Sequence, residues 1–185
     1  MSTDALNNAE TRMKKAVEAL RRDLNTIRTG RAQPALVEHL LIEYYGVPTP
    51  LNQIASINVS DARQLTIQPW DRQSLGTIEK GILKSDLALV PNNDGTVIRI
   101  NIPTLTEERR RELVRLVKKK VEDARVAVRG VRRDAVERLR EMEKSKDLSQ
   151  DDDKRAQDQL QKLTDVYISQ MDTLSKGKEA EVMEV

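Results

Sequence analysis

The chain of 185 residues contains no cysteine and no phenylalanine. Without thiols there are no disulfides, no thiolate metal sites and no cysteine nucleophile. A reducing compartment fits that composition. Aromatic residues reach only 2%, as three Tyr and one Trp. A thick aromatic core is therefore excluded, and burial must come from aliphatic stripes on long helices. No apolar run approaches the ~20 residues of a membrane helix. The N-terminal MSTDALNNAE lacks the apolar centre of a secretion signal. A soluble cytoplasmic protein without a membrane partner is expected. Gly-rich phosphate loops, nucleophile elbows and clustered His or carboxylate sets are missing. No catalytic residues, cofactor or metal are expected, and an enzyme is the weakest choice. His39, the one histidine, sits in a strand-like run and reads as structural. Asp151, Asp152 and Asp153 lack the Gly and distal Glu of a calcium loop, and suit a helix N-terminus instead.

What is abundant is charge, at 34%, with a net of only +2. Nucleic-acid binding would then have to come from local clustering. Leu6, Ala9, Met13, Val17, Leu20, Leu24 and Ile27 recur at steps of three and four, predicting a helix over about 4–29. Thr3 or Asp4 is placed to cap it, and Gly30 and Pro34 to stop it. "LVEHLLIEYYG", "NQIASINVS", "RQLTIQPW" and "TVIRINIP" read as strands, "GVPTPL" as a loop and "PNNDG" as a turn. "SLGTIEKGILKSDL" has helical spacing through Leu75, Ile78, Ile82 and Leu83. Tyr44, Tyr45 and Trp70 are expected in the core of this mixed unit.

Helix resumes after Thr106 for about 38 residues, or about 57 Å. Its stripe is Leu113, Val117, Val121, Ala124, Val128, Val131, Ala135, Leu139 and Met142. Ser149 caps a third helix carrying Ala156, Leu160, Leu163, Tyr167, Met171 and Leu174. Three long helices with narrow stripes pack as a bundle with left-handed crossings. The expected fold is α+β: an elongated three-helix bundle (1–30 and 105–185) with an inserted small β/α/β domain (31–104). Two linkers join them, Gly30-Arg31-Ala32-Gln33-Pro34 and Pro103-Thr104-Leu105, and a hinge is expected there.

The chemistry lies in "ARVAVRGVRRDA", residues 124–135. Lys118, Arg125, Arg129 and Arg132 fall within about a quarter of the helix circumference, with Arg133 beside them. Between Arg109 and Arg133 there are eleven Lys/Arg and three acids. Glu122 and Asp123 are placed to pair with Arg125 or Lys118. Arg129, Arg132 and Arg133 lack acids at most favourable spacings, Arg133 with Glu137 being the exception. Arginine forks suit bidentate phosphate contacts. The intervening residues are small aliphatics, not stacking aromatics, so recognition of nucleic-acid backbone and shape is favoured over reading of unpaired bases. Gly130, at a mid-helix cost of ~1 kcal/mol, reads as a tolerated defect rather than a close-approach site.

"IRTGRAQPALV", "EYYGVPTPLNQIASI", "LTEERRRELVRLVKKKVEDARVAVRGVRRDA" and "DDDKRAQDQLQKLTD", in that order, closely resemble the bacterial ribosome recycling factor family over essentially the whole chain. The resemblance implies an L-shaped molecule with a hinged small domain. It implies binding to the post-termination ribosome, with the bundle against large-subunit rRNA. It further implies that elongation factor G with GTP helps drive the subunits apart. The family's rRNA-contacting arginines match Arg129 and Arg132, with Arg133 adjacent, and the "RTGRA" motif adds Arg28 and Arg31. The chain departs at Gly130, where the family usually has Asn, and at "DLALVPNNDG", where the family has a glycine-containing form. The runner-up reading is a coiled-coil adaptor whose stripes bind partner helices; it predicts self-association, whereas the family reading predicts a monomer. A basic bundle on DNA has no helix-turn-helix signal behind it.

Overall fold

The computed structural model describes residues 2–184. Met1 and Val185, the outer ends of the expected bundle, lie outside the described residues. The chain forms two compact units. One runs to Ile27 and resumes at Glu107–Glu184; the other is Arg28–Thr106.

The first unit is three helices: α1 (Ser2–Asn25), α3 (Glu107–Lys144) and α4 (Gln150–Met183). Each buries one line of residues against the other two, and Met13, Val17, Val117, Val128, Leu139, Leu160 and Met171 are almost fully enclosed. Among the described residues the three expected stripes are used within the bundle, and the adaptor reading loses its motive. Helix α1 starts at Ser2, so Thr3 and Asp4 lie inside its first turn rather than capping it. It ends at Asn25, before the expected stop; Thr26 and Ile27 instead donate backbone N–H bonds three residues back. Its buried line begins at Ala5, not Leu6.

On α4 the buried line is Asp153, Ala156, Leu160, Thr164, Tyr167, Met171, Ser175, Lys178 and Val182. Thr164 and Ser175 take the places expected of Leu163 and Leu174. The steps run three, four, four, which is an eleven-residue repeat of 3.67 residues per turn. Unlike a heptad, it does not drive a left-handed supercoil. Ser149 caps α4, its Oγ accepting the Asp152 N–H at 3.1 Å. Asp151, Asp152 and Asp153 fill the first turn.

The second unit carries a two-stranded hairpin, β1 (Leu41–Tyr44) with β2 (Val47–Pro50). "GVPTPL" is therefore not a loop. Prolines lack an N–H and are accepted in a strand that pairs on one side only. The segment 37–39 is turn, not strand, and follows a short 3-10 helix at Pro34–Leu36. Tyr45 and Gly46 turn the hairpin, both with positive φ (49° and 80°), as a two-residue hairpin turn requires.

A four-stranded antiparallel sheet has the order β3 (Ala55–Asp61), β4 (Gln64–Pro69), β6 (Ile98–Asn101), β5 (Pro91–Asn93). Alternation puts Leu65 and Ile67 on one face of β4, opposite Ile100 and Ile98 of β6. Helix α2 (Leu75–Lys84) covers that face with Leu75, Ile78 and Ile82; Leu83 points outward. In "PNNDG" the first three residues form β5 and only Asp94-Gly95 turns, with Asp94 Oδ1 accepting the Thr96 and Val97 N–H groups at 2.9 Å each. These bonds hold the Asp94 carboxyl below its usual range, the Val97 bond contributing most. The core is wholly aliphatic. Trp70 is 68% exposed and Tyr45 72% exposed, so neither is core; Tyr44 packs at its margin.

Candidate nucleic-acid interface

Helix α3 sets the arginines beside its buried line, not on it. Its core-facing side fixes the backbone, so the guanidinium groups project from a rigid support. Arg125 and Arg132 lean toward α4 and are half-buried, whereas Arg129 and Arg133 are exposed.

Their partners separate them. Arg125 donates through Nε to Asp172 Oδ1 at 3.0 Å, through Nη2 to the same oxygen, and through Nη1 to Glu122 Oε2 at 3.1 Å. Those two carboxylates, Asp172 first, push the Arg125 pKa up. The fork is already occupied. Arg129 has no acid at the spacings weighed from sequence, but its Nη1 donates to Glu122 Oε1 at 3.3 Å. Glu122 lies seven residues back, two helical turns on the same face. Lys118 Nζ stands 4.0 Å from Glu179 Oε2.

Arg132 meets no carboxylate among the described residues; its Nη1 donates to the neutral Gln161 Oε1 at 3.0 Å. Arg133 has no hydrogen bond or ion pair among the described residues, Glu137 included. Asp134 is turned to α1, where Arg12 Nη2 donates to it at 2.9 Å. Of the five expected cations on α3, Arg132 and Arg133 are thus the two without a carboxylate partner among the described residues. Sequence reasoning could have found the Glu122–Arg129 spacing. It had no signal for Asp172 or Gln161, which come from another helix.

The remaining expected residues belong to the second unit. Arg28 Nη1 donates to the Leu87 carbonyl at 3.0 Å. Arg28, Gly30, Arg31, Pro103, Thr104 and Leu105 line one apolar cavity of about 190 Å³. Gly30 has φ +76°, and a Cβ there would stand 3.4 Å from Leu105 Cγ. Ala32 is buried, its N–H bonded to the Ala62 carbonyl at 2.8 Å. Gln33 and Pro34 lead into the 3-10 turn. His39 is exposed, 3.4 Å from Glu38. No His/Cys/Asp/Glu group suited to a metal occurs among the described residues. No helix there is long and apolar enough to cross a membrane.

The model of the family described as ribosome recycling factor matches residues 20–183. The chain belongs to the ribosome recycling factor family. The ribosome-recycling factor of Halalkalibacterium halodurans is 56% identical over 185 residues, covering 100% of both chains. That of Syntrophomonas wolfei is 54% identical with the same coverage. A solution structure of the ribosome recycling factor has a TM-score of 0.77 at 47% identity, covering 100% of this chain and 98% of the other. A second solved relative has a TM-score of 0.67 at 45% identity, with 100% of both chains covered. It comes from models for the T. thermophilus ribosome recycling factor and the E. coli elongation factor G bound to the E. coli post-termination complex.

Proposed function

We propose that this chain binds the post-termination ribosome in the cytoplasm as a monomer, with its bundle on large-subunit rRNA. With elongation factor G and GTP it promotes release of the ribosome from mRNA and separation of the subunits. It acts as a lever, not an enzyme, and needs no cofactor of its own. Arg132 and Arg133 grip phosphates. Arg129, Arg125 and Lys118 add charge that Glu122, Asp172 and Glu179 partly offset. Arg28 and Arg31 are further rRNA contacts at the start of the second unit. The segments Gly30–Pro34 and Pro103–Leu105 serve as the hinge, so that force on the second unit is passed to RNA held by the first.

The observation that carries this reading is the pair Arg132 and Arg133. In a member of this family, these two of the five expected α3 cations have no carboxylate partner among the described residues. Folded RNA offers the missing charge, and neutralising phosphates makes affinity fall with salt. Replacing Arg132 with Ala should weaken ribosome binding by ~1–3 kcal/mol, the range of a charge-assisted contact, and leave helicity intact. The salt dependence should also flatten by about one phosphate contact. An unchanged affinity across a salt titration overturns the reading.

A further inference from the structure

Arg132 differs from Arg125 in the charge of what holds it. Gln161, on α4, gives its Oε1 to Arg132 Nη1 at 3.0 Å. The same amide gives its Nε2 to Asp165 Oδ1 at 2.9 Å, one turn further along α4. An amide offers one acceptor oxygen and two N–H donors, while an ionised carboxylate only accepts. Asp165 therefore decides which end of the amide is nitrogen, and the oxygen is left facing α3. A flipped amide would meet the guanidinium donor to donor.

A neutral acceptor fixes an arginine without cancelling its charge. At Arg125 two carboxylates take all three nitrogens of the fork. At Arg132 the amide takes one N–H of five and leaves the rest, in a fixed plane, for a bidentate acceptor. We infer that Gln161, aligned by Asp165, is a positioning residue that presents the Arg132 fork to an RNA phosphate. The inference rests on the reading of Arg132 as an RNA contact.

The test is ribosome binding by the full chain in a salt titration, for Arg132→Ala, Gln161→Glu, Gln161→Ala and the double variant Arg132→Ala/Gln161→Glu. Helicity is checked for each. Gln161→Glu gives Arg132 the kind of partner Arg125 has. It should lower affinity about three- to tenfold and flatten the salt dependence by about one phosphate contact. Gln161→Ala should lower affinity about two- to threefold with the salt dependence kept, because the charge stays and only its aim is lost. In the Arg132→Ala background, Gln161→Glu should do almost nothing more.

If Gln161→Glu weakens binding equally in that background, the effect is general repulsion and the positioning role is overturned. If the Gln161 variants bind like the parent while Arg132→Ala does not, the positioning role fails and the reading of Arg132 stands. If Arg132→Ala also binds like the parent, both fall.

Discussion

The two units solve burial differently. The second unit encloses an all-aliphatic core between sheet, hairpin and α2. The bundle buries polar side chains along α4: Thr164, Ser175, Lys178 and Asp153. Most are satisfied within the same helix. Thr164 Oγ1 donates to the Leu160 carbonyl at 2.8 Å, Ser175 Oγ to Glu179 at 2.8 Å, and Lys178, 6% exposed, to Glu181 at 3.1 Å. A helix in a three-helix bundle is never more than a turn from water on its outer side, so a polar group can be met locally. The second unit also buries two polar side chains, Thr29 and Ser74, but outside its aliphatic cluster: Ser74 precedes α2, where its Oγ donates to the Asp71 carbonyl at 2.6 Å. Between the sheet and α2 no such local exit exists, and every enclosed side chain there is apolar.

The largest expected effect tests that contrast. Ile98 is fully enclosed opposite Ile67. Ile98→Ala should cost the second unit about 2–5 kcal/mol through lost burial and a cavity. Segment-resolved hydrogen exchange should show strands β3, β4 and β6 losing protection while the centres of α3 and α4 keep theirs. Equal loss in both units would break the comparison, because the two would then be one cooperative structure.

A smaller effect probes the bundle where it is held by a side chain rather than by its core. Ser149 Oγ accepts the Asp152 N–H at 3.1 Å and donates to the Asp152 carboxylate at 2.7 Å. Ser149→Ala should destabilise the bundle by about 1 kcal/mol. Urea unfolding followed by far-ultraviolet circular dichroism measures this. A loss as large as that of Ile98→Ala would mean that helix ends, not stripes, govern the bundle.

The same contrast explains what could be read beforehand. Three long stripes and the Ser149 cap were legible because a helix advertises its buried face within a few residues. The phase on α4 was not legible, because leucine at 163 and 174 looks more buried than threonine and serine next to it. The real line follows the helix's own pitch, not the apolar label. In the second unit, β4 and β6 were legible from alternation. β2 was hidden by its prolines, and the exposure of Tyr45 and Trp70 is hidden by their aromatic type. The arginine strip was legible as geometry. Its division into occupied and free forks was not, since Asp172 is 47 residues from Arg125 and Gln161 is 29 from Arg132.

Gly130 sharpens the comparison within α3 itself. Nothing stands within 4 Å of where its Cβ would be, so no neighbouring helix in the bundle requires the gap. It lies two residues before Arg132, about 160° around the helix at 100° per residue. A missing side chain there leaves no room beside the Arg132 fork. Glycine inside a helix carries an entropic cost of about 0.5–1 kcal/mol against alanine. Gly130→Ala should therefore stabilise the bundle by about that amount, raising the urea midpoint, and leave ribosome affinity unchanged. Gly130 is also three residues before Arg133, about 60° around the helix. Loss of affinity with the stability gain intact would therefore mean that RNA packs against the bare backbone beside Arg133, and that the gap serves the contact surface.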